Sequence, residues 1–167
     1  NAFVDVVVNG VIKNSNGEFC TLQIKVEDAM GHQWYQKTYE TQTGISSYDE
    51  YRDRINDPYQ NVFNDIANDL HEFVAKIPVK RVKQIRQVSE LQFFGVMAPL
   101  SFAHHLTNKE DGTVSIIRLP AVNDPTVVRL RQIRERDRLV IDTLNEHYAN
   151  FYYGIAIPYE EWRKISR

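Results

Sequence analysis

The stretch that decides the fold is residues 57–77, DPYQNVFNDIANDLHEFVAKI, which separates a strand-like half of the chain from a helix-like half. Asp57 is predicted to cap a helix here, with Pro58 in its first turn and Gln60 as the return partner of a capping box. The apolar residues recur at steps of three and four, which predicts one buried face: Val62, Phe63, Ile66, Leu70, Phe73, Val74 and Ile77. Such a helix needs a surface to pack against.

Three strand-like segments precede this helix. Residues 3–12, FVDVVVNGVI, are rich in β-branched side chains. Residues 18–26, EFCTLQIKV, alternate imperfectly with polar positions through Phe19, Thr21, Ile24 and Val26. The NSNG turn signal at residues 14–17 joins these two segments into a predicted hairpin. A second tight turn at residues 28–31 leads to the aromatic segment HQWYQKTYET. The sequence therefore predicts a three-stranded antiparallel meander, which needs a covering layer, and we expect the helix to supply it. Residues 44–56 suit either a loop or a short helix.

The second half of the chain is predicted to be helical. A second helix starts at Pro78, keeps apolar residues at three-residue steps and ends near residues 93–95. A short helix at residues 99–106, a turn at 108–112 and either a strand or an extended connection at 113–119 follow. Asp124 and Pro125 begin a long helix that Gly154 and Pro158 are expected to end near Tyr153. Its predicted buried stripe is Val127, Leu130, Ile133, Val140, Ile141, Leu144, Tyr148 and Phe151.

The fold class predicted from these segments is α+β. Residues 1–77 form the sheet and its covering helix, and residues 78–167 form a helical extension packed on it, as one domain or two.

Composition narrows the function classes. The chain has 167 residues and an ordinary hydrophobic content, so it is long enough to bury an adequate core. Its net charge of −2 gives it no overall attraction to the phosphate backbone of nucleic acid. Cys20 is the only cysteine, so no internal disulfide forms. The chain has no run of about 18 apolar residues that would cross a membrane. Because it begins at Asn1 without Met, we expect that it was cut from a longer precursor.

The order of strand, turn, strand, tight turn, aromatic strand and helix resembles a unit of Gram-negative envelope lipoproteins. The relatives are the curli-secretion lipoprotein type, the lipoprotein activators of penicillin-binding proteins and the auxiliary lipoproteins of ABC-type transporters. The matching pieces are VVNGVIKNSNGEFCTLQIKVEDAMGHQWYQKTYE and DPYQNVFNDIANDLHEF, under half of the chain. The resemblance implies a periplasmic domain, tethered to the outer membrane, that acts through protein contacts. The helical half is not part of this pattern.

Histidines supply the candidate catalytic groups. His71 begins HEFVA, but position 75 is Ala, so the two-histidine zinc motif cannot form. His104 and His105 are adjacent, while Asp142 and Glu146 share one face of the long helix. Together they would suit a hydrolase or a metal-dependent enzyme. We favour the interpretation that they are surface and structural residues, and we expect no metal or other cofactor.

Five arginines crowd residues 129–138, RLRQIRERDR, and three of them, Arg131, Arg134 and Arg138, share one helix face. This face could receive an acidic partner, although ion pairs along the helix, such as Glu135 with Arg131, account for part of the run. Asp137 lies within the apolar stripe, where an unpaired carboxylate is costly. We therefore predict that Asp137 pairs with Arg86 or Arg118.

Aromatic residues cluster at the end of the long helix: Tyr148, Phe151, Tyr152, Tyr153, Tyr159 and Trp162. They suit a core seam, a partner interface or a small-ligand site. The preferred function is a non-enzymatic protein-interaction domain of an exported bacterial envelope protein. It would bind an envelope partner through a sheet edge, which would also allow self-association, or through the helical surface carrying Arg131, Arg134, Arg138, Tyr152, Tyr153 and Trp162. The alternatives are the histidine enzyme and a small-ligand carrier that uses the aromatic cluster.

Overall fold

The structure is a computed structural model that describes residues 4–16, 18–42 and 59–165. Three long strands come first: β1 (Val6–Ser15), β2 (Phe19–Asp28) and β3 (Gln33–Gln42). The helices α1 (Gln60–Lys76), α2 (Val79–Met97) and α3 (Pro99–Phe102) follow. After a single 3₁₀ turn, β4 (Leu106–Asn108) and β5 (Val114–Ile116) form a small hairpin, and α4 (Pro125–Ile165) ends the described chain.

The fold is α+β, as predicted, with an antiparallel sheet in the order β1-β2-β3 followed by helices. In the β1–β2 turn, the Asn16 side chain accepts hydrogen bonds from the backbone N–H groups of Glu18 and Phe19, at 3.1 and 2.7 Å. Burial in β2 alternates strictly from residue to residue. The buried side chains are Cys20, Leu22, Ile24, Val26 and Asp28. Of the apolar residues in the expected alternation, Ile24 and Val26 are therefore buried as predicted, whereas Phe19 is exposed.

Helix α1 lies beside the sheet through its contacts with β3. Phe73 stacks on Trp34 with ring centroids 5.1 Å apart, and Tyr39 donates a 2.6 Å hydrogen bond to Asp69, which also pairs with Lys37. Of the seven apolar residues predicted to be buried, Val62 is buried, while Phe63 and Val74 are exposed. The other four are half-buried. The predicted caps Asp57 and Pro58, and residues 44–56, lie outside the described residues.

The described chain divides into two compact units. One comprises residues 1–9, 25–36 and 72–136, and the other residues 10–24, 37–71 and 137–167. The predicted division at residue 77 stays a prediction.

The first unit has a continuous aromatic core. Phe93 and Phe94 of α2 pack with Phe102 of α3 and with Val127 and Leu130, the first buried residues of α4. A neighbouring cluster joins Met30 to Ile85 and Val88 of α2. The start of α4 is therefore fixed in the core of this unit.

Both ends of α4 were predicted from the sequence, and only the start agrees with the structure. The Asp124 carboxylate accepts a 2.8 Å hydrogen bond from the Thr126 N–H, as an N-cap does. At the other end, α4 continues past Gly154 and Pro158 to Ile165. A proline removes one intrahelical hydrogen bond and favours a kink, but the turns on either side keep their own bonds, so it need not end a helix.

Candidate functional site

The second half of α4 carries a long exposed apolar face. Between Arg138 and Ile165, every side chain that the structure describes is exposed except that of Ala156, which is half-buried. Tyr148 is 70% exposed and Trp162 is 60% exposed. We call the following set the distal α4 face: Ile141, Leu144, Tyr148, Phe151, Ile155, Trp162 and Ile165. These are side chains that a folded protein normally removes from water.

This exposure corrects the stripe predicted for α4. Val127 and Leu130 are buried, whereas the other six predicted members are exposed: Ile133, Val140, Ile141, Leu144, Tyr148 and Phe151. Periodicity showed that α4 has an apolar face, but it cannot show whether the same chain covers that face.

The aromatic cluster at the end of α4 is exposed as well. Tyr152 and Tyr153 meet edge to face at 6.2 Å, and Tyr159 stacks on Trp162 at 5.8 Å. All four rings are at least 44% exposed. Their polar tips and apolar bodies are the combination that protein interfaces favour.

The arginine run divides between internal contacts and solvent. Arg131 forms a two-point contact with Glu90 of α2, with Nε–Oε1 at 2.7 Å and Nη2–Oε2 at 3.0 Å, and this contact raises the pKa of Arg131. Arg134 donates a 2.7 Å hydrogen bond to the buried Ser89 hydroxyl. Arg131 and Arg134 thus bind α4 to α2, and Arg131 pairs with Glu90 rather than with Glu135. Arg138 is exposed.

The prediction for Asp137 was wrong. Its side chain is exposed, and within the described chain no ion pair involves it. Arg86 lies 3.7 Å from Asp5 instead. The neighbours of Asp137 in the predicted stripe are themselves exposed, so the carboxylate is not forced into an apolar surrounding and needs no partner.

The predicted histidines have different surroundings. His105 is buried, packs on Phe102 and donates a 2.9 Å hydrogen bond from Nδ1 to the carbonyl oxygen of Arg118. His104 is exposed. Both belong to the first unit, whereas the exposed Asp142 and Glu146 belong to the second. The contacts of His105 are those of a histidine that holds the β4–β5 hairpin.

A polar cluster that sequence reasoning missed surrounds Asp28. Its buried carboxylate accepts hydrogen bonds from the backbone of Met30 and His32, from the Trp34 indole and from Arg81, all between 2.9 and 3.1 Å. The aspartate at the start of a tight turn was a signal for the first two bonds. Four donors satisfy this carboxylate, so it stabilises the β2–β3 turn rather than offering a reactive group.

A cleft of about 590 Å³ lies next to this turn within the first unit. Its lining mixes apolar and polar side chains, among them Val7, Asn9, Glu27, Gln92 and Val96. None of the residues of the distal α4 face lines it.

Comparison with known proteins gives no relative: no family model matches the chain, and neither a curated protein nor a solved structure was found to match it. Within the described ranges, no three or more His, Cys, Asp and Glu side chains are grouped so that they could hold a metal ion. None of the helices in the described part is both long and apolar enough to cross a membrane.

Proposed function

We propose that the protein is a non-enzymatic interaction domain that binds a protein partner through the distal α4 face. The observation that carries this proposal is the exposure of that face over seven large apolar side chains on one helix. Contiguous apolar surface of this size marks interaction sites on soluble proteins.

The stability of the helix supports the same proposal. Helices in water gain most of their stability from packing an apolar face, not from intrinsic propensity. Beyond Arg138, α4 contains Gly154 and Pro158, and both lower helix stability. A partner packed on the distal α4 face would supply the missing stabilisation.

We propose the bacterial envelope as the setting of this interaction. The support is the resemblance of the strand and helix order in residues 7–40 and 57–73 to envelope lipoproteins. Fractionation of the native cells, with detection of the protein in periplasmic, membrane and cytoplasmic fractions, tests this setting. Recovery in the cytoplasmic fraction alone would contradict it.

The proposed docking surface is chosen over the sheet edge and over the arginine face. Arg131 and Arg134 already bind Glu90 and Ser89, so they offer less to a partner than the exposed rings do. Strands β1 and β3 are the edges of the sheet, and α1 contacts β3. The exposed edge strand β1 carries three exposed large apolar side chains, Val8, Val11 and Ile12, against seven on the distal α4 face.

Site-specific photo-crosslinking in the native cells tests the proposal. A photoreactive amino acid replaces Tyr148 on the distal α4 face in one variant and Glu146, on the opposite side of the same helix, in the control. We expect a discrete cross-linked protein product at position 148 and none at position 146. Absence of any product at 148, or equal products at both positions, would contradict docking through this face.

A further inference from the structure

The distal α4 face follows a regular heptad pattern. Its members Ile141, Leu144, Tyr148, Phe151 and Ile155 are separated by steps of three, four, three and four residues. Pro158, Trp162 and Ile165 continue the same alternation to the end of the helix. Upstream, the same register passes through Val127, Leu130, Arg134 and Asp137: the first two contact the core, Arg134 contacts Ser89, and Asp137 is exposed. The apolar residues of this register therefore form two segments of α4, one covered at the start of the helix and one exposed from Ile141, with Arg134 and Asp137 between them. We call the exposed segment the seam.

A helix face with a heptad repeat is suited to packing against another α-helix. Apolar residues repeating every 3.5 residues are the pattern with which one α-helix packs against a second in a coiled coil. Residues 141–165 would span roughly 36 Å of helix. With exposed fractions from 39 to 84%, the seven side chains offer roughly 800 Å² per chain, the area that one partner contributes to a standard protein interface.

The seam is complementary to itself when two copies run in opposite directions. With the two-fold axis at Tyr153, Tyr148 of one copy lies opposite Pro158 of the other, and Leu144 lies opposite Trp162. Each of these layers sets a large side chain against a smaller one, as close packing requires. The remaining layers pair Ile141 with Ile165 and Phe151 with Ile155. A parallel pair would instead place Pro158 against Pro158 and Trp162 against Trp162.

Polar side chains beside the seam agree with this arrangement. The antiparallel pairing sets His147 next to the seam opposite Glu161, whose carboxylate can accept a hydrogen bond from the imidazole N–H. Acidic residues also argue against a membrane as the occupant. The polar side of this helix segment carries Asp142 and Glu146, whereas helices that bind anionic lipid carry Lys and Arg there.

We propose that the occupant of the distal α4 face is a second copy of this chain, paired antiparallel about Tyr153. This inference rests on the proposed function, since it names the partner for the same surface. The pairing is isologous, with each copy contributing the same residues, as in most two-fold homodimers.

A cysteine at position 154 tests the geometry. In the antiparallel pairing, Gly154 of one copy lies beside Gly154 of the other, and both Cα–Cβ bonds would lean toward each other because they tilt toward the helix N-terminus. A Cβ added at Gly154 meets no described atom within 4 Å, so Gly154→Cys does not crowd the chain. The matched control is Asn150→Cys on the outer side of the helix, and the unaltered chain controls for the buried Cys20.

Under mild oxidation we expect a disulfide-linked dimer of Gly154→Cys on a non-reducing gel, with Asn150→Cys and the unaltered chain staying monomeric. Equal cross-linking at positions 150 and 154 would overturn the pairing, and so would a link formed only by Leu144→Cys, which indicates a parallel pair. No link at 154 together with a monomeric chain would overturn self-association. Flotation of that monomeric chain with anionic phospholipid vesicles would assign the face to a membrane.

The photo-crosslinking at Tyr148 distinguishes failure of the proposed interaction function from failure of the proposal that a second copy occupies the distal α4 face. A product of that experiment containing a different protein, with no link at position 154, would overturn the second copy as occupant and leave the interaction function standing. No product in either experiment would overturn both.

Discussion

Two glycines show how single residues hold the turns of the first unit. Gly31 in the β2–β3 turn and Gly112 in the β4–β5 turn have positive φ values of 82° and 80°. A Cβ on Gly31 would lie 2.8 Å from the carbonyl oxygen of Gly112, whereas a Cβ on Gly112 meets no described atom within 4 Å. At both positions a residue with a Cβ would be strained by the positive φ, but the space around the added Cβ differs between them.

Substituting each glycine with alanine separates strain from contact. We expect Gly112→Ala to lower the free energy of unfolding by about 1–2 kcal/mol, the cost of a left-handed backbone for a residue with a Cβ. Gly31→Ala should lower it by at least about 1 kcal/mol more, because backbone atoms must move to admit the methyl group. Urea unfolding of both variants measures the difference. Equal losses would show that the two turns are not in contact.

Asp69 is the residue whose titration should change stability. The Lys37 ammonium and then the Tyr39 hydroxyl stabilise its charged form and hold its pKa below the ordinary value of 3.8. A carboxyl with a lowered folded-state pKa contributes stability above its unfolded-state pKa of about 4 and loses that contribution as pH falls through the folded value. The pair is partly exposed, so the contribution is no more than about 1 kcal/mol.

Comparison of the unaltered chain with Asp69→Asn checks this pH dependence. We expect the unaltered chain to be the more stable above about pH 5, with the difference shrinking as pH falls below about 4. Urea unfolding from pH 7 down to pH 3 measures it, with Asp65→Asn on the exposed side of α1 as the control. A difference that stays constant over this range would contradict the role assigned to Asp69.

Among the elements, α4 changes its surroundings along its length. Its first turns pack in the aromatic core, and Arg131 and Arg134 add contacts to α2. The neighbours Val127 and Val128 show how sharply the two sides of this segment differ, with 2% and 50% of their surfaces exposed. The inner side of the first turns of α4 is therefore packed within the first unit.

These two valines provide a matched test of where α4 is fixed. Val127→Ala removes two buried methyl groups and should lower the free energy of unfolding by about 1–3 kcal/mol. Val128→Ala should change it by no more than about 0.5 kcal/mol, because the removed methyl groups are exposed. Urea denaturation followed by circular dichroism measures both. A loss at Val128 as large as that at Val127 would contradict the assigned packing.

The sequence predicted the elements better than their surroundings. Turn residues and period fixed the three strands, α1, α2 and the Asp124 start of α4, because these signals act locally. The buried side of a strand was predicted only in part: in β2, Ile24 and Val26 are buried as expected, but Cys20 is buried in place of Phe19. Burial depends on distant parts of the chain or on a partner, which explains why the exposure of Leu144 and Tyr148 was missed.

In the candidate site too, the sequence identified residues but not their contacts with distant parts of the chain. Tyr152, Tyr153 and Trp162 were singled out from sequence, and the structure places all three on exposed surface. Arg131 and Arg134 shared their helix face in the sequence, but their partners Glu90 and Ser89 lie more than 40 residues away. Spacing along one helix cannot show such contacts.

At the scale of the whole molecule, the central claim is that the exposed seam of α4 is completed by another copy. Such a dimer would cover side chains that a single chain leaves in water, and hydrophobic burial is the main favourable term in association. A charge placed in the seam should therefore separate the copies, while the same charge on the outer side of the helix should not.

The mass of the protein in solution, measured by sedimentation equilibrium over a range of concentrations, tests this claim most directly. We expect twice the chain mass of 19.5 kDa for the unaltered protein and for Asn150→Glu, and a single chain mass for Trp162→Glu with its circular dichroism of the sheet retained. A mass of 19.5 kDa for the unaltered protein at every concentration, up to the millimolar range, would contradict the account.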